Sequence, residues 1–188
     1  LLLPFVAIAL LTAAIAGCVL SGVAGAGLRK RALAGLPAAL HATILTDGSH
    51  ASRSPEAALE LLLDLLSLDD ALAQLSEPTP EPISRAVARL TEAVRLLTLP
   101  DARLASFQGG GPSTTARISA ALAHDDAEAH RTSGVVGGLH RLSSPLLAVV
   151  ADAAPAGGPT SCTRAPPARA SRSRSCRRAQ CRSLTMAA

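Results

Sequence analysis

Tryptophan and tyrosine are missing from this chain altogether, and phenylalanine occurs only at Phe5 and Phe107. A core made without aromatic rings must be filled by Leu, Val, Ile and Ala, which suits helix-on-helix packing better than a sandwich or barrel. Stacking platforms for single-stranded nucleic acid are lost with the aromatics. Methionine occurs once, at Met186, and the chain opens Leu1-Leu2-Leu3, so it reads as a fragment of a longer chain or else as a processed product. Charge is missing from residues 1–28, where Thr12, Cys18 and Ser21 are the only polar side chains. Acid is missing from residues 159–188, which hold seven arginines, whereas residues 1–158 carry 11 basic and 14 acidic side chains. The basic isoelectric point therefore belongs to the tail. The mildly acidic body offers no basic surface for nucleic acid, and no nucleic-acid partner is expected.

What remains is rich in Ala and Leu, both strong helix formers, and the predicted class is all-α. The uncharged run 1–28 exceeds the roughly 20 apolar residues that span a bilayer core. Gly17, Gly22, Gly25 and Gly27 would let neighbouring membrane helices approach closely. Arg29, Lys30 and Arg31 follow at once, and the positive-inside rule puts that end in the cytoplasm. The expectation is one N-terminal transmembrane helix over 1–28 in the inner (plasma) membrane, with everything after Arg31 cytoplasmic. Two other readings share the stretch. A cleaved signal peptide would want a basic start, which is missing. The run Ile15-Ala16-Gly17-Cys18 resembles a lipoprotein box, in which Cys18 would carry lipid, although the apolar run continues past it.

Residues 29–154 read as a cytoplasmic helical region. Residues 46–54 (TDGSHASRS) form a loop by their turn residues. Ser54 can then cap a helix, with Pro55 in its first turn and Glu56 favouring its dipole. Leu59, Leu62, Leu63 and Leu66 share one face, which predicts a helix over 55–76. The run 77–82 (EPTPEP) must break it. Ile83, Val87, Leu90, Val94 and Leu97 then recur at spacings of four and three, which predicts a partner helix over 83–99 and an antiparallel pair burying its leucine faces. Further helices are expected at 114–131, Ala-rich and acidic, and at 139–154, kinked or begun at Pro145. Residues 155–188, rich in Pro, Ser, Arg and Cys, are expected to be disordered, or the frameshifted end of a GC-rich gene.

The candidate chemistry is sparse. His124, Asp125, Asp126, Glu128 and His130 could gather a divalent metal, but a six-residue histidine spacing points the two rings in different directions. A solvated polar helix face is the better reading. Residues 140–146 (HRLSSPL) resemble the phosphoacceptor box of sensor histidine kinases around His140, except that Arg141 stands where an acid would activate the ring. Cys162, Cys176 and Cys181 lack a zinc-like pairing, and Gly109-Gly110-Gly111 lacks the lysine of a phosphate loop. No nucleophile stands beside a base, so no catalytic residue, metal or cofactor is assigned and the chain is not expected to be an enzyme.

The order of parts resembles the fusaric-acid-resistance (FUSC) family of aromatic-acid exporters. Residues 2–28 would stand for the last helix of a membrane block, and Arg29-Lys30-Arg31 for its cytoplasmic exit. Residues 82–92 (PISRAVARLTE) look like the family's recurrent soluble helix, and 139–154 like the helix leading to a second block. The resemblance implies a fragment of an efflux transporter for small aromatic or organic acids. Its partners would be the lipid bilayer and other transmembrane helices, of the same protein or of an oligomer. The alternatives are a membrane-anchored signalling protein phosphorylated at His140, or a lipoprotein anchored through Cys18.

Overall fold

The uncharged N-terminal run does not form one rod. The structure, a computed structural model, describes residues 3–111, 113–123, 133–144, 147–154 and 184–187, with backbone alone for 3–4 and 184–187. Helix α1 (Leu3–Val19) ends at Leu20-Ser21, and α2 (Gly22–Thr43) folds back along it. Gly22 takes φ 81° at the reversal, a value that L side chains adopt only at a cost. The two axes lie close together. A Cβ on Gly17 would stand 2.6 Å from the Arg29 amide nitrogen, so only glycine fits there.

This hairpin overturns the membrane-spanning helix over 1–28. Seventeen residues rise about 25 Å, short of the roughly 30 Å hydrocarbon core. The second arm carries Arg29, Lys30 and Arg31 in its interior, together with Pro37. Among the described residues no helix is long and apolar enough to cross a membrane. Arg29 does not mark a membrane exit either. Its guanidinium donates to Glu77 Oε1 at 2.5 Å and Oε2 at 3.1 Å, and to the Gly17 carbonyl at 3.1 Å. The expected bilayer and transmembrane-helix partners, and the inner-membrane placement resting on that span, fall with it.

Helix α3 (Pro55–Gln74) begins as its sequence dictates. The Ser54 hydroxyl accepts from the Ala57 amide at 3.4 Å, Pro55 fills the first turn and Glu56 faces the positive helix end. Leu59, Leu62, Leu65, Leu68 and Leu72 are wholly buried. Ser76 at φ 56° and the prolines that follow end the helix. Helix α4 (Glu81–Leu97) returns against it with Ile83, Leu90 and Val94 buried. Each such side chain contributes about 1.5–3 kcal/mol through removal from water. Helix α3 also packs on α1 and on the short α5 (Thr115–Leu122). The remainder of the expected helix 114–131, from residue 124 on, lies outside the described residues.

Each long hairpin ends in the same hook. After α2, Ile44 bridges His50; after α4, Thr98 bridges Leu104, 54 residues further on. Leu45 donates to Ser49 and Ala51 to Thr43, just as Leu99 donates to Arg103 and Ala105 to Leu97. Gly48 and Ala102 both take a left-handed φ, 86° and 58°. Asp47 and Asp101 each accept from the amide two residues on, at 3.0 and 3.1 Å. Helix, helix and hook thus form a unit repeated along the chain.

The last expected helix, 139–154, is instead two strands. β1 (Ser133–Val136), β2 (Leu139–Ser143), β3 (Ala148–Asp152) and β4 (Leu184–Ala187) form an antiparallel sheet in that order. Gly137 and Gly138, at φ 58° and 74°, make the two-residue turn that hairpins favour. Leu139 and Arg141 are buried while His140 and Leu142 are exposed, a period of two. The fold is therefore α+β, not all-α with an N-terminal transmembrane helix. Strand β4 also departs from the expectation of a wholly disordered tail over 155–188; residues 155–183 lie outside the described residues.

Candidate functional site

The densest polar cluster joins the first hook to the sheet. Asp47 Oδ1 accepts from the Ser49 amide at 3.0 Å and the Ser49 hydroxyl at 2.6 Å, while Oδ2 accepts from the Gly137 amide at 2.6 Å. Burial raises the Asp47 carboxyl, but these hydrogen bonds outweigh it and hold the group below its usual range. Arg53, left-handed at φ 59°, donates through Nε to the Gly137 carbonyl at 2.7 Å and through Nη2 to Asp152. Asp152 also accepts from Gln108 Nε2 at 3.1 Å and from the Ala154 amide at 3.2 Å. One hook, one β-turn and the end of β3 are locked by charge-assisted bonds.

His50 lies inside this junction, 8 % exposed. Its Nδ1 accepts from the Ser52 amide at 3.1 Å and lies 2.7 Å from the Ser52 hydroxyl. That fixes the neutral ring with its proton on Nε2, and burial pushes its pKa down. The cleft beside it, lined by Ser49, His50, Arg53, Pro55 and Gly137 among others, measures about 10 Å³. Such a volume suits one water position rather than an organic ligand. The loop 46–54 is legible in the sequence as a turn, but nothing there foretells that Asp47 and Arg53 reach Gly137 and Asp152, some 90 residues away.

A second junction lies at the end of α4. Arg141, 8 % exposed, points from β2 and donates through Nη1 to the carbonyls of Arg95, Leu96 and Thr98, at 3.3, 2.9 and 2.6 Å. Its Nε donates to the Ser143 hydroxyl at 3.0 Å. The guanidinium therefore caps the negative end of α4. This settles the box around His140. That histidine is an exposed strand residue opposite Val135 and Ala151, not a helical phosphoacceptor, and Arg141 serves helix capping.

The other sequence candidates do not converge. Cys18 is a half-buried thiol near the end of α1, packed against the core, and burial pushes its pKa up. Gly109 to Gly111 form a loop in which the Gly111 amide donates to Glu56 at 2.5 Å. No group of three or more His, Cys, Asp or Glu that could hold a metal occurs among the described residues. The cluster of His124, Asp125, Asp126, Glu128 and His130, and Cys162, Cys176 and Cys181, lie outside them.

No family model matches the chain, and no solved structure matches it. Among curated proteins it is similar to FtsZ-localized protein C of Caulobacter vibrioides (strain NA1000 / CB15N), with 49% identity over 144 residues. Those residues are 76% of this chain and 25% of the relative, so the chain spans a quarter of the length of the curated protein it matches. This finding replaces the resemblance to FUSC exporters. The relative's name speaks of FtsZ, not of export, and the membrane helix on which transport rested is a hairpin arm. Neither the signalling nor the lipoprotein alternative is supported: the relative's name speaks for neither, and His140 stands on a strand.

Proposed function

We propose that this chain is a module of a protein that gathers with FtsZ assemblies in the division machinery. Its part there is association with other protein surfaces rather than turnover of a substrate. The observation that supports the setting is the 49% identity over 144 residues with FtsZ-localized protein C. The role in association is supported by how the polar residues are spent. Asp47, His50, Arg53 and Asp152 each bind main chain or an opposite charge, and the cleft beside His50 and Arg53 is water-sized.

The test is to image a fluorescent fusion of the polypeptide in cells and to sediment the purified protein with FtsZ assembled on GTP. The expected result is a band coincident with FtsZ and co-sedimentation that needs GTP. Diffuse fluorescence while FtsZ rings are intact, with no co-sedimentation, would overturn the proposal.

A further inference from the structure

Helix α1 is apolar on every side: Thr12 is the one hydroxyl in LPFVAIALLTAAIAGCV, and no charge interrupts it. Its inner stripe, Ala7, Leu11 and Ala14, is buried. Its outer face is not, since Phe5 is 67 % and Ile8 49 % exposed, with Val6 and Val19 beside them. A helix hydrophobic all round belongs in the interior of a larger body.

The 54-residue repeat of the hooks says what that body is. The same shift carries Ala7, Leu11 and Ala14 onto Leu61, Leu65 and Leu68, buried in both helices. It carries Phe5, Ile8 and Thr12 onto Leu59, Leu62 and Leu66, which are buried to 0, 0 and 6 %. The difference lies in the neighbours. Helix α3 packs on its own hairpin partner α4, on α1 of the hairpin before, and on α5 after it. Helix α1 packs on its partner α2 and on α3 after it. Among the described residues it lacks the counterpart of the contact that α1 makes with α3. Hairpins in such stacks bury continuous apolar faces against successive neighbours.

We propose that Phe5, Ile8 and Thr12 form the docking face for a further Ala/Leu-rich helical hairpin of this same repeat, within the same polypeptide. The interface continues the one between α1 and α3. The curated relative, four-fold longer than the stretch it shares with this chain, has room for such units. The inference rests on the repeat and not on the FtsZ reading, and it stands if that reading fails.

The test uses the polypeptide as the cell makes it, with Ile8→Cys or Phe5→Cys, native maleimide labelling, and mass mapping to separate these sites from the natural cysteines. Leu11→Cys is the buried control and Ser84→Cys, on the exposed side of α4, the open one. The expected result is labelling at positions 5 and 8 slower than at 84 by about 100-fold or more, in a monomer and at every dilution. Labelling as fast as at position 84 would show an open face and overturn the proposal. Protection that vanishes on dilution, together with a dimer in light scattering, would assign the face to a second copy and overturn it equally. Protection found only with phosphatidylglycerol vesicles would assign it to lipid.

Discussion

Gly48 and Ala102 occupy equivalent places in the two hooks, and exchanging their side chains should move stability in opposite directions. At Gly48 the backbone is left-handed, which penalises an alanine by about 1–2 kcal/mol. A Cβ there would also stand 2.7 Å from the Arg89 carbonyl oxygen, and a main-chain oxygen cannot swing aside as a flexible side chain can. Forcing α4 and the hook apart adds about 1–3 kcal/mol. Less about 0.4–1 kcal/mol for the freedom that alanine removes from the unfolded chain, Gly48→Ala should destabilise by about 1–4.5 kcal/mol. With a urea m-value of about 2 kcal/mol/M, the midpoint falls by about 0.5–2 M. Ala102→Gly relieves left-handed strain of about 1–2 kcal/mol, offset by about 0.4–1 kcal/mol of extra freedom in the unfolded chain. Its net effect is a gain of up to about 1.5 kcal/mol. Urea denaturation followed by circular dichroism measures both. Shifts of the same sign, or a Gly48→Ala midpoint within error of the parent's, would refute the equivalence of the hooks.

Further outcomes follow from the two junctions. Arg141→Met should destabilise by about 2–4 kcal/mol, because three carbonyls at the end of α4 lose a charged donor, and Arg141→Lys should recover part of it; denaturant midpoints decide. A double-mutant cycle of Arg53→Gln with Asp152→Asn should give a coupling of about 1–3 kcal/mol, and independent effects would mean that the bridge does not hold the sheet. His50, with its folded pKa below the ordinary 6.5, binds a proton more readily unfolded. Its contribution to stability is full above pH 6.5 and declines as pH falls below that value, so His50→Gln should flatten the stability profile between about pH 7 and 5. Asp47 behaves in its own window: its contribution is present above the ordinary 3.8 and is lost as pH falls through its lower folded pKa, so Asp47→Asn should remove a loss seen only below about pH 4.

The central helices are legible because their leucines are periodic and their ends are punctuated. The expected 55–76 and 83–99 meet Pro55–Gln74 and Glu81–Leu97. The first 43 residues are harder because a uniformly apolar run has no period to reveal where it turns. Gly17 and Gly25, which read as membrane-packing glycines, are close-approach positions of a hairpin. The strands hide behind Leu, Ala and Val that suit either structure. Gly137-Gly138 followed by the alternation Leu139, His140, Arg141, Leu142 is the signal that distinguishes them. Neither junction could be read from the sequence. Arg53 meets Asp152, and Arg141 the end of α4, across long separations that no local pattern encodes.

The α1–α2 hairpin meets the α3–α4 hairpin through α1 on α3 and α2 on α4, and α5 rests on the second, so the helical units touch in chain order within one continuous core. Stability in such an array is a sum over units and the couplings between adjacent ones, so a change in one hairpin is felt by its neighbours and fades beyond them. The α3–α4 unit, with the densest leucine core, is where ordering should begin and where amide hydrogens should exchange last. Order then spreads outward through α1 on one side and α5 on the other. A further helix–helix–hook unit would extend this array through one new interface between neighbours.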